Sequence, residues 1–308
     1  MTLRLSKLSI VFALAASILL SVLCPFGLHP PFAAAKKKAA TSSWIMTHYA
    51  DLSGKQGMFY TLYNPSKKKL IVVDGGWSEN APQVRQVIRR YGGTVHAWIL
   101  THYHDDHIEA FNKIYAEPKG IRIKDIYVSP MDYAHYLVIA KEWDDPEDFG
   151  RFLTLTQDAT NVHRVKRDDS FVMAGLTCHF LNTYDNALRK TVGDSDLPNN
   201  GSLMFRLYAN KDSVLFCGDA HSAYLGDYLI DRYEGELEST YVQVGHHGNN
   251  SFPTRFYRAI NPKYALFDAP LWLIADPSYS TAELMIWCQR NGIKTYDLRI
   301  PYNQFKLK

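Results

Sequence analysis

The segment THYHDDHIEA, residues 101–110, does most to restrict what this chain can fold into. It directly follows an apolar run, so three histidines and two aspartates stand at the end of a predicted strand. Side chains at i and i+2 of an extended segment point to the same side, so His102 and His104 can reach one metal ion together. Asp106 and His107 lie at the turn into a helix and can be aimed at a second ion. Imidazole and carboxylate groups suit Zn²⁺ and similar ions, so this pattern predicts a metal site.

The first 35 residues have the layout of a secretory signal peptide. Arg4 and Lys7 form a short positive region, Leu8–Cys24 is almost wholly apolar, and Ala33–Ala35 offers the small residues of a cleavage site. An uncleaved signal anchor is the alternative, because the apolar run is at the lower edge of the length that spans a bilayer. Either way, we expect the body of the protein to be secreted or otherwise extracytoplasmic.

Composition and charge exclude several classes of protein. The chain has 308 residues, of which 46% are hydrophobic, which is enough for a sizeable core. Arg4 and Lys7 are the only charged residues among the first 35, and without them 32 basic residues face 31 acidic ones. The net charge therefore does not indicate a polyanion-binding surface. The four cysteines have no close spacing, so neither a disulfide framework nor a CxxC metal site is predicted.

A single domain is predicted for residues 44–308, after a short basic linker at residues 36–43, because no Pro/Gly/Ser-rich break divides the chain from there on. Predicted elements include a strand at Leu176–Asn182 and a helix at about Ala223–Tyr233. Hairpins in each half, helices between them and polar clusters at strand ends predict two sheets flanked by helices, an α/β fold. The long polar segment Asp185–Asn200 is predicted to be a substrate-facing loop.

Four motifs in order along the chain resemble those of the metallo-β-lactamase-fold hydrolases. They are DGG at Asp74–Gly76, HxHxDH at His102–His107, GD at Gly218–Asp219 and the late histidine motif VGHHG at Val244–Gly248. The resemblance extends from Trp44 to the C-terminus. It implies a four-layer αββα sandwich of the metallo-β-lactamase type that carries a two-metal hydrolytic site.

The same resemblance implies a set of ligands for two divalent metal ions, zinc or manganese. The implied roles are His102 and His104 on the first ion, Asp106 and His107 on the second, Asp219 bridging both, His246 completing the second site, and Asp74 supporting the histidines from behind. Asp106 and His247 are the predicted catalytic residues. His247 is a candidate proton donor, because an extended strand before it would aim only one of the two adjacent histidines at the ions.

The chain departs from the family pattern at the first ion, which lacks its third histidine. Upstream of the GD motif it reads PNNGSL, residues 198–203. This NNxSL pattern followed by VGHHG resembles the metallo-β-lactamase domain of the DNA-internalisation competence protein ComEC and its secreted relatives. We assign Asn200 as the replacement ligand, with Asn199 and His221 as alternatives; an amide oxygen is a harder ligand that tolerates Mn²⁺. A tight turn is an equally good interpretation of the two asparagines.

The predicted activity is hydrolysis by a hydroxide held between the two metals. The ComEC-like pattern favours a phosphodiesterase that acts on nucleic acid, such as DNA, or on phosphodiesters of the cell envelope, such as a cell-wall polymer. A lactonase or β-lactamase is the alternative enzyme, disfavoured by the missing histidine. The alternative from another class is a degenerate, non-catalytic secreted binding module. No obligate protein partner is inferred.

Overall fold

The computed structural model describes residues 43–308; the predicted signal peptide and residues 36–42 of the predicted linker lie outside the described residues. The strands are β1 (Trp44–Tyr49), β2 (Phe59–Asn64), β3 (Lys69–Asp74), β4 (Thr94–Val95), β5 (Ala97–Leu100), β6 (Arg122–Ile123), β7 (Ile126–Val128), β8 (Val162–Arg164), β9 (Ser170–Met173), β10 (Leu176–Asn182), β11 (Met204–Ala209), β12 (Asp212–Phe216), β13 (Tyr241–Gln243), β14 (Tyr264–Leu266), β15 (Lys294–Tyr296) and β16 (Tyr302–Leu307).

The helices of the same region are α1 (Ala81–Arg90), α2 (Asp105–Ala116), α3 (Tyr133–Ile139), α4 (Pro146–Thr156), α5 (Asn186–Val192), α6 (Leu197–Asn200), α7 (Ala223–Tyr233), α8 (Thr254–Ile260), α9 (Leu271–Ala275) and α10 (Thr281–Arg290). Short 3₁₀ turns occur at Ser78–Asn80, Glu234–Leu237 and Gly245–Gly248. Within residues 43–308, no helix is long and apolar enough to cross a membrane.

Two seven-stranded sheets form the centre of the fold. The first has the order β16-β1-β2-β3-β5-β7-β8 and the second has the order β15-β14-β13-β12-β11-β10-β9, while β4 and β6 form a separate pair. Each sheet joins an antiparallel part to a parallel part: β3, β5, β7 and β8 are parallel in the first, and β12 to β15 are parallel in the second. The two halves of the chain therefore build similar sheets.

Alternation along the strands explains the layers. Successive side chains of a strand point to opposite faces, so on β3 Ile71 and Val73 belong to one buried cluster and Leu70 and Val72 to another. The first cluster lies between the sheets and includes Met46, Tyr60, Ile99, Phe180, Phe205, Leu207 and Phe216. The second joins the outer faces to helices through Val84, Ile88, Ile108, Phe111, Leu225, Leu229, Phe256 and Leu284. The predicted αββα sandwich is confirmed.

The carboxyl ends of the parallel strands bring the polar motifs together. Asp74 ends β3, residues 101–107 follow β5, and Asp219 follows β12, while the histidine motif follows β13 and Asp268 follows β14. Parallel strands of one sheet present their carboxyl ends at the same edge, which is where α/β sheets place their ligand sites.

One segment differs from its predicted structure. Residues 185–200 were expected to be a loop, but they contain the helices α5 and α6. The Asp185 carboxylate accepts a hydrogen bond from the Leu188 N–H at 2.7 Å and so caps α5. Pro198 stands in the first turn of α6, where its missing N–H costs nothing. The loop prediction rested on the polar composition of this segment, which does not exclude short helices.

Candidate metal centre

Asp74 is a buried anchor behind the HxHxDH segment. Its Oδ1 accepts from the Thr101 N–H at 2.7 Å, and its Oδ2 accepts from the Thr101 hydroxyl at 2.6 Å. The same Oδ2 lies 2.7 Å from Nδ1 of His107. The structure therefore places Asp74 behind a histidine, in the supporting position that the resemblance implies.

The GD motif fixes the second half of the site. Gly218 has φ of 54°, and a Cβ there would lie only 2.8 Å from the Cβ of Ser202, so the position requires glycine. The close approach lets the Ser202 hydroxyl accept a hydrogen bond from the Asp219 N–H at 3.1 Å. This turn directs the Asp219 carboxylate, which is 2% exposed, into the space between the sheet ends.

Four buried groups converge in that space: Asp106, His107, Asp219 and His247. Nε2 of His247 lies 3.0 Å from Oδ2 of Asp106 and 3.0 Å from Oδ2 of Asp219. Nε2 of His107 lies 3.3 Å from Oδ1 of Asp219 and 3.6 Å from Oδ1 of Asp106. Two carboxylates and two imidazoles thus face one another across a small volume. Asp106 and His107 come from the start of α2, while Asp219 and His247 follow two different strands of the second sheet.

The outward nitrogen of each motif histidine is held by another group. These outward partners are the Asp74 carboxylate for His107 (2.7 Å), the Asp268 main-chain oxygen for His247 (3.1 Å), the Thr101 hydroxyl for His102 (3.1 Å) and the Asp144 carboxylate for His104 (2.7 Å). A histidine that ligates a metal usually donates its other ring N–H to such a partner, which fixes its tautomer. The outer bonds therefore leave the inward nitrogens of these rings free to bind a metal ion.

His102 and His104 lie beside the four-group cluster. The His102 ring centroid is 4.1 Å from that of His107 and 4.7 Å from that of His104. Nε2 of His102 is buried and has no hydrogen-bond partner. The two side chains are thus available for a second ion next to the first, as the i, i+2 spacing predicts.

Electrostatics shows how strongly the cluster is coupled. Burial lowers the pKa of His247, but the carboxylates of Asp219 and Asp106 outweigh it and raise that pKa to about 10. The pKa of His107 is likewise raised well above its ordinary value, against the effect of burial, by Asp219, Asp106 and Asp74. Burial raises the pKa of Asp219, but His247 and His107 bring it well below its usual range. The cluster therefore holds its carboxylates ionised.

The arrangement fits divalent metal ions. Nε2 of His102, His107 and His247 and Oδ1 of Asp219 are buried without a hydrogen-bond partner of good geometry, and such atoms call for an ion or a water. Ligands about 2.0–2.1 Å from a tetrahedral metal lie roughly 3.3 Å from one another. The separations in the cluster, 3.0 to 3.6 Å, match that value. Mixed nitrogen and oxygen ligands suit zinc, manganese or iron.

Of the two adjacent histidines, His247 and not His246 points towards the carboxylates, which is the opposite of the prediction. Both have left-handed backbone conformations, with φ of 51° at His246 and 57° at His247, in a 3₁₀ turn rather than an extended strand. His247 faces Asp106 and Asp219, in the place that the resemblance assigned to His246. His246 instead stacks on His221, with ring centroids 4.6 Å apart. The geometry therefore places His247, and not His246, against the carboxylates of the second site.

Asn200 does not present its oxygen to the cluster. Its Oδ1 accepts from the N–H groups of His221 at 3.1 Å and Ser222 at 2.9 Å, and its Nδ2 donates to the Ser195 carbonyl. Both lone pairs of the amide oxygen are thus used for the turn after the GD motif. The assignment of Asn200 as a metal ligand is corrected: the residue supports the turn that carries Asp219.

The two alternatives to Asn200, His221 and Asn199, differ in how their side chains are engaged. Nδ1 of His221 donates to the Asp219 carbonyl at 3.0 Å, while its Nε2 lies 3.5 Å from Asp196. Asn199 donates to Asp196 through Nδ2 at 3.0 Å, but its Oδ1 is buried without a hydrogen-bond partner. The contacts of His221 therefore do not make it a replacement for the third imidazole, whereas Asn199 stays an alternative ligand of the first site.

Sequence reasoning missed several residues around the centre. Gln56 donates to Oδ2 of Asp106 at 3.1 Å, and Asp144 lies against His104. Both come from irregular segments with no motif, so no sequence signal marks them. A group of carboxylates also lies close to the metal centre, between α2 and α4: Asp105, Asp145 and Asp148, with Glu109 beside them.

Comparison with known proteins agrees with this fold. A sequence model of the metallo-β-lactamase superfamily matches residues 58–150, which include the HxHxDH segment. A search of curated proteins gave no significant match.

Three solved structures resemble this chain over most of its length. CmlA, a diiron β-hydroxylase from Streptomyces venezuelae, superimposes with a TM-score of 0.56 at 13% identity over 86% of this chain and 54% of CmlA. This chain thus spans about half the length of CmlA. The metallo-β-lactamase fold protein YhfI from Bacillus subtilis gives 0.53 at 12% identity, over 86% of this chain and 100% of YhfI. Igni18, a metallo hydrolase from Ignicoccus hospitalis, gives a TM-score of 0.51 at 11% identity, over 87% of this chain and 99% of Igni18. Together with the sandwich and the motif match, these comparisons show that the chain has the metallo-β-lactamase fold.

Proposed function

We propose that the protein is a metal-dependent hydrolase that cleaves phosphodiesters. The observation that carries the proposal is the convergence of Asp106, His107, Asp219 and His247, with His102 and His104 beside them. When bound, two divalent ions supply Lewis acidity and lower the pKa of water, which is the chemistry of two-metal hydrolysis.

Charge favours an anionic substrate over a neutral one. Two divalent ions bring four positive charges, whereas the cluster brings two carboxylates, Asp106 and Asp219, and the histidines are neutral when they act as ligands. Asp74 and Asp144, behind His107 and His104, offset part of this charge at a distance. The ions themselves contact the substrate and would stabilise the charge that develops on the oxygens of a phosphodiester. A neutral lactone gains less from this field.

The chain's own residues would orient these groups. Asp74 and Thr101 hold His107 and His102 from behind, and Gln56 donates to one oxygen of Asp106, which leaves the other oxygen to face His107. Because Asp74 and Thr101 are buried, the ligand atoms that they hold need little rearrangement when substrate binds.

The position of the missing imidazole supports the same substrate class. Asn200 and His221 are held by backbone groups, so the described residues offer no third histidine to the first ion. That ion would keep a coordination position for a substrate oxygen. With the ComEC-like NNxSL and VGHHG motifs and the predicted signal peptide, this favours extracytoplasmic nucleic acid or cell-envelope phosphodiesters as substrates.

The test compares substrates and metals on one preparation. Metal-free protein reconstituted with Mn²⁺, Zn²⁺ or Fe²⁺ is assayed with bis(p-nitrophenyl) phosphate, nitrocefin and a simple lactone. We expect diester cleavage to be the fastest reaction, to require added metal and to be lost in Asp219→Ala. Faster lactone or nitrocefin turnover would overturn the phosphodiesterase assignment. Metal binding with no hydrolysis at all would favour the non-catalytic binding module.

A further inference from the structure

A buried glutamine connects the two turns that carry metal-centre residues of the second sheet. Gln243 ends β13, between Val242 and Val244, and its side chain is fully buried. The residues on either side of it are apolar, so an amide at this position is unusual. A buried amide needs partners for its two N–H donors and its oxygen acceptor.

The partners of Gln243 belong to the ends of three parallel strands. Its Oε1 accepts from the Cys217 N–H at 2.7 Å, and its Nε2 lies 3.2 Å from the Gly218 carbonyl and 2.9 Å from the Val244 carbonyl. The same Nε2 lies 2.9 Å from Oδ2 of Asp268, after β14. The Cys217 contact requires the oxygen on that side, which fixes the orientation of the amide.

Asp268 continues the connection in two directions. Its main-chain oxygen accepts from Nδ1 of His247 at 3.1 Å. Its Oδ1 lies 2.9 Å from Nε2 of His48 on β1, in the other sheet, and both side chains are fully buried. The His48 ring stacks on Tyr60 with centroids 4.6 Å apart and an interplanar angle of 6°. Asp268 therefore cannot move without disturbing both sheets.

We propose that Gln243 and Asp268 are positioning residues that set the distance between Asp219 and His247, and thereby the metal affinity of the centre. Gln243 holds the Gly218 carbonyl, one residue before Asp219, and at the same time holds Asp268, which orients His247. The two inward atoms, Oδ2 of Asp219 and Nε2 of His247, are 3.0 Å apart as a result. This inference rests on the proposed metal centre.

The test measures metal affinity rather than turnover. Dissociation constants for Zn²⁺ and Mn²⁺ are determined by chelator competition for the wild type, Gln243→Met and Asp268→Asn. Methionine has a similar length but lacks the donors and the acceptor. Loss of an outer partner of a metal ligand weakens binding about 10–100-fold. Gln243 acts one step further out, through the Gly218 carbonyl and Asp268, so we expect Gln243→Met to weaken binding by about 10-fold, the lower end of that range. Asp268→Asn keeps the main-chain oxygen for His247 and should show a smaller loss.

A matched control separates positioning from general stability. Leu207→Ala removes a buried side chain from β11 of the same sheet, away from the strand ends. It should lower the denaturation midpoint but leave the metal dissociation constants unchanged. The visible absorption of the Co²⁺-substituted protein provides a second readout, because it should shift in Gln243→Met and not in Leu207→Ala.

The outcomes distinguish this inference from the proposed function. Unchanged affinity in a folded Gln243→Met protein would overturn the inference, as would an equal loss in Leu207→Ala. If Gln243→Met does not fold, unchanged affinity in Asp268→Asn overturns it instead. Wild-type protein that binds no divalent metal would overturn the proposed metal centre itself, and the inference with it.

Discussion

Nε2 of His247 lies 3.0 Å from Oδ2 of Asp219, although the two residues follow different strands of the second sheet. The contact depends on two consecutive residues in the left-handed region, His246 and His247. Such a backbone is costly for residues other than glycine and is typical of functional sites. It separates two neighbouring imidazoles, so that His247 points to the carboxylates and His246 to His221.

The adjacent histidines should therefore respond differently to removal. We expect His247→Ala to weaken divalent-metal binding by more than about 100-fold, the upper range for loss of a mere outer partner. His246→Ala should retain metal, because its ring stacks on His221 outside the four-group cluster. Metal content by elemental analysis and chelator competition measure both. Equal losses in the two variants, or a loss confined to His246→Ala, would contradict the placement.

Asn200 should matter for stability rather than as a ligand. Asn200→Ala leaves the partly buried N–H groups of His221 and Ser222 without their acceptor. A fully buried unpaired donor costs about 1–3 kcal/mol, so we expect a loss of about 1 kcal/mol for each of these. Asn199→Ala, the neighbouring control, removes one donor to Asp196 and should cost less. Urea denaturation gives both values. Asn200→His should destabilise in the same way and should not tighten Zn²⁺ binding; a tighter complex would restore Asn200 to the position of a ligand.

The acidic group between α2 and α4 predicts a pH dependence of stability. Burial first, and then Glu109 and Asp105, raise the pKa of Asp148 from its ordinary value of 3.8 to about 7. The folded state therefore holds the proton more tightly than the unfolded state. The contribution of protonated Asp148 to the free energy of unfolding is fully present below pH 3.8 and is lost as the pH rises to about 7. The loss is at most ~1.4 kcal/mol per pH unit.

Asp148→Asn removes the ionisable group, and with it the loss of stability that ionisation of Asp148 causes at high pH. The variant should be more stable than the wild type at pH 8, by on the order of 1–2 kcal/mol, and the difference should shrink towards pH 4. Urea denaturation of both proteins across this range is the measurement. Stability that decreases at pH 8 upon substitution would show that the carboxylate is engaged by a cation instead.

Much of the fold could be read from local pattern. The strand Leu176–Asn182 and the helix Ala223–Tyr233 occur with their predicted bounds, because strong apolar periodicity marks both. The strand-end positions of Asp74 and Asp219 follow from the same reasoning. Strand β16 was not predicted; its burial alternates along a strand that pairs with β1, which begins more than 250 residues earlier.

The errors arose where conformation depends on distant contacts. An extended strand would alternate its side chains, and only the 3₁₀ turn at Gly245–Gly248 shows that His247 is the inward residue. Asn200 resembles a ligand in sequence, yet its oxygen is taken by a turn that begins 21 residues later. Asp144 and Asp268 have no motif, since their roles come from partners in other segments.

The most direct test of the metal centre is anomalous X-ray diffraction from crystals of the protein grown with Zn²⁺ or Mn²⁺. We expect one anomalous peak among Asp106, His107, Asp219 and His247, and a second beside His102 and His104 that also contacts Asp219. Peaks at this position that disappear in Asp219→Ala crystals would agree with a shared carboxylate. No anomalous density between these residues at saturating metal, or density only at Asp105, Asp145 and Asp148, would contradict the metal centre.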